Sequence, residues 1–343
     1  MTTGARDSGA RTVVRAPNHL GDLVMALPAL AAAGPADVLV ASSIAPLLAM
    51  ATIGGRVLPL TRGAAGTVPA IAALRRGHYA RGVLLTPSFS SAALFAAARI
   101  PVRRGTATDR RRLLLTDPIP PAAYGGQHRA AIYWSLVTDA PPPAAWRPRL
   151  VVPDEAAARW HALGIGGAPL VGLFPGGNAP SRRWAPDAFA ALAARLARRP
   201  MRVVVFGGPS ERALTAHVAG NAGVDLGGRT DLPLLAAGLA ACRLLVTNDS
   251  GPLHVAGAVG TPTVSLWGAG DPRVTGPLGP GQRMIRHPEL PCVPCTRNVC
   301  PRHGRGTWLP DARTECLALI SVDDATMVID DVQDVFPSDP FGP

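Results

Sequence analysis

The sequence predicts an α/β protein of two doubly wound, Rossmann-like domains facing across a cleft. Three observations predict it. Short Val- and Leu-rich runs alternate with helical stretches in both halves of the chain, the pattern of parallel sheets buried on both faces. Polar, glycine-containing turns follow several of these runs, where open α/β sheets bind ligands. The length of 343 residues also suits about two domains.

In the first half, Thr12-Val-Val-Arg-Ala reads as a strand, and Leu20-Gly21-Asp22 turns into a Leu/Ala-rich helix. Ala36 to Val40, Arg56 to Leu60 and Gly82 to Thr86 read as further strands. Helices near Ile44 to Met50, Val68 to Arg76 and Ser90 to Ala98 separate them. The Pro-rich pieces beginning at Asp117 and Asp139 read as a linker. In the second half, Leu170 to Phe174, Arg202 to Phe206, Arg243 to Thr247 and Pro262 to Leu266 read as strands. Helices lie near Pro186 to Arg199, Ser210 to Val218 and Leu232 to Ala241. Val322 to Phe336 reads as an amphipathic helix with an acidic face, and Ser338 to Pro343 as a frayed tail. The expected division is an N-terminal domain over 1–150, a C-terminal domain over 151–320, and a helix and tail over 321–343.

The 34 basic residues are all arginine and the net charge is +11. That balance suits phosphates, nucleotides or an anionic membrane surface; no nucleic-acid partner is expected. The N-terminus lacks a basic region followed by an apolar core, so no signal peptide is expected. The apolar stretch from Leu23 to Ile53 is broken by Gly34, Pro35 and Asp37, which argues against a membrane span.

Four polar turns carry chemistry. Asn248-Asp249-Ser250-Gly251 sits where strand gives way to helix. Unpaired N–H groups and the helix dipole there favour an anion. Ser250 adds a hydroxyl, Gly251 permits close approach, and His254 follows one turn later on the same face. Pro175 to Trp184 contains glycines with Arg182 and Arg183, whose guanidinium forks match phosphate oxygens. Asn18 to Asp22 makes a tight turn in which Asp22 either caps the helix or projects into the cleft. Phe206-Gly-Gly-Pro-Ser-Glu211 is a fourth strand-to-helix turn.

Cys292, Cys295, Cys300 and Cys316 cluster in an irregular segment, 288–316. This spacing suits a tetrahedral thiolate site for structural zinc or iron. Buried free thiols and a disulfide are the other readings, and each is a structural role.

In this order the motifs resemble glycosyltransferase family 9, the ADP-heptose:lipopolysaccharide heptosyltransferases, from about Val13 to Ile320. The Cys-x-x-Cys tail is similar to that of the heptosyltransferase II branch. The resemblance implies a GT-B fold, with the acceptor on the N-terminal domain and the nucleotide sugar on the C-terminal one. It implies inverting transfer of a heptose from ADP-L-glycero-β-D-manno-heptose to the lipopolysaccharide inner core, without a catalytic metal. Asp22 matches the proposed general base. Arg182, Arg183, Asp249, Ser250, Gly251 and His254 match the donor and diphosphate site, and Asp225 falls near the acidic ribose position. A phosphorylated acceptor suits Arg103, Arg104 and Arg110, basic residues that read as flanking a turn. A cytoplasmic protein, peripheral on the inner membrane, is implied. Two alternatives stay open: the same chemistry on a natural-product or protein acceptor, and a non-catalytic nucleotide-sugar-binding protein or sugar-nucleotide epimerase.

Overall fold

In a computed structural model the chain forms two compact units, residues 1–147 and 148–343. The structure describes residues 11–144, 146–300 and 314–335. The expected tail at Ser338 to Pro343 and residues 301–313 of the cysteine segment lie outside these.

Unit 1 is built on β1 (Thr12–Arg15), β2 (Asp37–Ala41), β3 (Val57–Leu60), β4 (Arg81–Leu84), β5 (Val102–Thr106) and β6 (Asp117–Ile119). The strands are all parallel, in the order β3-β2-β1-β4-β5-β6. Its helices are α1 (Leu20–Ala32), α2 (Ala64–Arg76), α3 (Phe89–Ala97) and α4 (Arg129–Thr138). The central strand β1 is apolar on both faces, and Val13 and Val14 are fully buried, as a sheet sandwiched between helix layers requires. At its N-terminal edge Asp37 is buried and bonded by Arg11, Arg56 and Tyr79. Burial pulls this carboxyl's pKa upward, but the Arg56 and Tyr79 hydrogen bonds and the Arg56 charge outweigh it and bring it down to about 2.

Unit 2 repeats the plan with β7 (Leu170–Phe174), β8 (Arg202–Gly207), β9 (Gly223–Gly227), β10 (Cys242–Asn248), β11 (Thr263–Trp267) and β12 (Gln282–Arg286). Their order is β12-β11-β10-β7-β8-β9, again all parallel. The helices are α5 (Asp154–Ala162), α6 (Pro186–Leu196), α7 (Arg212–Ala219), α8 (Leu232–Ala241), α9 (Gly251–Val259), α10 (Pro272–Thr275), α11 (Glu315–Ala318) and α12 (Val322–Val335). In each unit the strand order reverses beside the first strand, so the loops after the first and fourth strands part there. That switch point is where doubly wound sheets take ligands.

The amphipathic helix expected at Val322 is α12. Its Ala325, Ile329 and Val332, spaced one turn apart, are buried in the unit 2 core. Asp323 and Asp330 on its flank pair with Arg195 and Arg199 on and just past α6. Among the described residues no helix is long and apolar enough to cross a membrane.

Three expectations change. The Pro-rich stretch from Asp117 is not a linker throughout: it opens with β6, an edge strand whose free side tolerates Pro118. It also contains α4. The helix expected at Ile44 to Met50 is a 3₁₀ turn over Ala45–Met50. Arg103 and Arg104 lie within β5 rather than beside a turn.

Candidate functional site

In unit 2 the loop after β7 is braced from four directions. Asn248, at the end of β10 and fully buried, donates from Nδ2 to the carbonyls of Pro175 (2.7 Å) and Gly176 (3.1 Å). Its Oδ1 accepts the Trp184 N–H at 2.9 Å. Glu211, from the turn after β8, accepts the N–H groups of Gly177 (2.9 Å) and Gly208 (2.7 Å). A side chain at Gly176 would collide with that carboxylate, its Cβ falling 1.9 Å from Oε1, so this approach requires glycine. Ser181 N–H donates to the Asn298 carbonyl at 3.2 Å. The Trp184 indole donates to the Ile320 carbonyl at 2.9 Å, tying the loop's far end to the core.

On this braced loop stand Arg182 and Arg183. Arg182 Nη1 donates to Asp249 Oδ2 at 2.9 Å, and that carboxylate is only 4% exposed. The pair explains how an acid fits a site suited to anions, since its charge is offset within the protein. Arg182 Nε is buried with no partner among the described residues. Arg183 Nε donates to the Gly177 carbonyl at 2.7 Å, and burial lowers its pKa against the opposing pull of Glu211.

Ser250 is the N-cap of α9 with extended backbone and makes no side-chain cap; its hydroxyl lies 3.2 Å from Thr247 Oγ1. Gly251 and Pro252 open the helix, so the first-turn N–H groups point beyond the C-terminal edge of the sheet. His254 is buried inside this helix at 7% exposure rather than being a surface histidine.

In unit 1, Asp22 stands in the first turn of α1 and makes no capping bond. Two residues of α4 converge on its Oδ1: Arg129 Nη1 at 3.1 Å and the Tyr133 hydroxyl at 3.2 Å. Arg129 and Tyr133 are four apart and so share a helix face. Burial and the Asp22 charge push the Tyr133 phenol well above its usual pKa, so it stays a donor. Burial opposes the Arg129 charge, but Asp22 and Tyr133 more than restore it. The carboxylate is thereby gripped through one oxygen, with no bond to Oδ2 among the described residues.

Other expected residues are not gathered at these points. Arg103 donates to the Leu114 and Ile100 carbonyls, both at 2.6 Å. Arg104 donates to the Leu136 carbonyl at 3.0 Å and pairs with Asp117 and Asp139. Both are occupied in holding β5, while Arg110 is exposed. Asp225 is on the edge strand β9, where its Oδ1 accepts the Gly227 N–H at 2.9 Å. Three strand spacings, about 14 Å, separate β9 from β10.

Cys292, Cys295, Cys300 and Cys316 line one small cavity with Ser181 and Glu315. All four are free thiols. Among the described residues, however, no group of three or more Cys, His, Asp or Glu is arranged to hold a metal ion.

Glu211, Asn248, Arg129 and Tyr133 were not singled out from the sequence as site residues. Glu211 carried a signal, the Gly-Gly-x-x-Glu turn. Arg129 and Tyr133 carried none, because their partner lies more than 100 residues away.

Residues 70–304 match the family model of glycosyltransferase family 9 (heptosyltransferase). Lipopolysaccharide heptosyltransferase 2 of Salmonella typhimurium is 31% identical over 236 residues, covering 62% of this chain and 66% of that protein. The match therefore spans just under two thirds of that relative. The ADP-heptose LPS heptosyltransferase II of E. coli superposes with a TM-score of 0.78 at 25% identity, covering 94% of this chain and 98% of that one. A family 9 glycosyl transferase from Veillonella parvula gives 0.76 at 20% identity, covering 94% and 97%. The α/β class with two parallel sheets is shared with these GT-B proteins. With two thirds of its length matched by the family model and the fold matched over nearly all of it, the chain belongs to glycosyltransferase family 9.

Proposed function

We propose that the chain is an inverting, metal-independent heptosyltransferase. It transfers a heptose from ADP-L-glycero-β-D-manno-heptose to a hydroxyl of the lipopolysaccharide inner core. The observation that carries this reading is the Asp22 carboxylate, gripped through Oδ1 by Arg129 and Tyr133. Oδ2 is left to take a proton. A carboxylate so oriented deprotonates the acceptor hydroxyl as that oxygen attacks the anomeric carbon. The new bond forms opposite the breaking one, so configuration inverts, and the nucleoside diphosphate leaves with an added negative charge.

Unit 2 meets that charge with donors fixed before the reaction, which is how an enzyme stabilises a leaving anion without reorganisation. Arg182 and Arg183 supply guanidinium N–H groups from the braced loop, and the first turn of α9 supplies backbone N–H groups at Gly251 and beyond. The Ser250 hydroxyl adds one more. Asp249 holds Arg182 in place beside the donor sugar and diphosphate, while His254 supports the helix from within. Asp225 takes ribose hydroxyls through the oxygen not bound to Gly227. Both the charge and the forked geometry of the arginines serve in place of a divalent cation.

The test is calorimetric titration with ADP, ADP-heptose, and UDP- and GDP-sugars in the absence of divalent metal. Binding of the ADP series alone supports the reading. A preference for UDP or GDP ligands overturns the heptose donor, and silence across the panel overturns the enzyme.

A further inference from the structure

The net charge is divided very unequally between the two units. Unit 1 carries 16 arginines against 6 acidic residues, and unit 2 carries 18 against 17. Ten of the eleven net positive charges therefore belong to unit 1. Several of its arginines are consumed internally, as Arg103, Arg104 and Arg129 are. The turn between β5 and β6 holds others that are not.

This turn is built around one buried arginine. Arg111 is fully buried; it donates from Nε to the Thr106 carbonyl at 2.7 Å and from Nη2 to the Thr106 hydroxyl at 2.9 Å. Its Nη1 donates to the Thr86 carbonyl, tying the loop after β4 to the loop after β5. Phe89 N–H donates to Asp109 Oδ2 at 2.6 Å, and Thr108 donates to the Pro87 carbonyl at 3.2 Å. Asp109 and Arg110 both adopt positive φ, 51° and 54°, which folds the chain sharply back. With Arg111 held inside, its neighbours are forced outward. Arg110 and Arg112 are exposed, and neither guanidinium has a hydrogen-bond or ion-pair partner among the described residues. Leu113 is 93% exposed and Phe89 48% exposed.

An apolar tip inside an arginine collar, on a rigid turn of a strongly basic unit, fits an anionic lipid bilayer. The apolar side chains enter the acyl boundary while the guanidinium groups meet lipid phosphates. We propose that the turn Asp109–Leu114, with Phe89 beside it, is the surface by which unit 1 docks on an anionic membrane. The loops after β4 and β5 lie at the C-terminal edge of the sheet, the same edge from which Asp22 follows β1. With β1, β4 and β5 adjacent in the sheet, the turn and Asp22 stand about two strand spacings, ~10 Å, apart across that edge. A bilayer meeting this turn faces the edge that carries Asp22. The inference deepens the reading of a lipid-borne acceptor and rests on that reading only for its purpose.

The test is sedimentation of the full chain with phosphatidylcholine vesicles, alone or with about a quarter phosphatidylglycerol, at low and high salt. The expected result is binding to the anionic vesicles that salt reverses and that neutral vesicles do not match. The double variant Arg110→Gln/Arg112→Gln should bind about 30-fold more weakly, from roughly a fivefold contribution per arginine near such a surface. Phe89→Ser/Leu113→Ser should bind about tenfold more weakly. Since Leu113 and both arginines are exposed, the acid and guanidinium unfolding of unit 1, followed by circular dichroism, should match the parent chain in each variant and so report an intact fold, and ADP titration should match it as well. Equal binding to both vesicle types, or variants that bind as the parent does, would overturn the proposal. Self-association that Leu113→Ser abolishes, without vesicle binding, would overturn it in favour of a second copy. ADP binding without vesicle binding sinks this surface alone; the reverse sinks the donor reading alone.

Discussion

Asn248→Ala is the substitution that most directly probes how unit 2 holds its arginine loop. The side chain makes three hydrogen bonds at full burial, to Pro175 O, Gly176 O and Trp184 N. Truncation leaves two carbonyls and one N–H buried without that partner. At about 1–3 kcal/mol for each unsatisfied group, and with partial relaxation of the loop, the loss comes to roughly 3–5 kcal/mol. The same bonds hold the segment that carries Arg182 and Arg183, so ADP affinity should fall about tenfold or more, equivalent to at least ~1.4 kcal/mol. Asn248→Asp is the sharper control. It is nearly isosteric and keeps the Trp184 bond, but sets a second oxygen against two carbonyls, so it should be at least as damaging. The assay is guanidinium denaturation followed by tryptophan fluorescence, to which unit 2 contributes four of the six indoles, with calorimetric titration of ADP alongside. Two units need not unfold together, so a probe weighted to unit 2 is the appropriate one. If Asn248→Ala loses less than about 1 kcal/mol and binds ADP as the parent does, the loop does not depend on this residue and the reasoning fails.

Asp22→Asn should lower heptosyl transfer by about 10²- to 10⁴-fold with ADP affinity unchanged; steady-state rates and calorimetry on the same preparation decide it, and retained transfer would reduce Asp22 to a structural residue. Arg182→Gln removes an ion-pair partner of a carboxylate that is almost wholly buried, and should cost unit 2 about 3 kcal/mol as well as weakening ADP binding; a stability equal to that of the parent would count against the pair. Asp37 has its pKa brought from 3.8 to about 2 on folding, worth about 2 kcal/mol to unit 1. A depressed carboxyl stabilises above its unfolded pKa, so this contribution is complete above about pH 4 and is lost as pH falls towards 2. In acid titrations Asp37→Asn should lack that loss, and parallel curves would refute it. Finally, EDTA should leave turnover unchanged; activity lost to the chelator and restored by a divalent metal would contradict the metal-independent reaction.

The strands visible in the sequence are those with unbroken Val and Leu runs, because a strand covered on both faces has nothing else to show. β5 was hidden by Arg103 and Arg104, whose guanidinium groups turn back to backbone carbonyls so that their aliphatic stems can lie along the sheet. β6 was hidden by Pro118, which an edge strand tolerates, and β12, an edge strand of the unit 2 sheet, by its two arginines. The turn from Asn248 to Gly251 was legible as a strand end meeting a helix start because all its signals are local. The grip of α4 on Asp22 was not, since it depends on two helices packing across the chain. The burial of His254 was not legible for a similar reason: residues 252–258 of α9 are all buried, and polarity alone does not reveal that.

The placement of α12 bears on how the protein is made. The core of unit 2 gathers side chains from Val171 through Val332, and the indole of Trp184 donates to the carbonyl of Ile320. Unit 1 has its whole core within the first 147 residues. Domains that emerge from the ribosome tend to fold as units in order of synthesis. Unit 1 can therefore close while the rest is still being translated. Unit 2 must wait, with apolar strands already exposed, until a helix more than 130 residues past Trp184 arrives to seal it. The dependence on chaperones, and the sensitivity to truncation, should accordingly fall on the second unit.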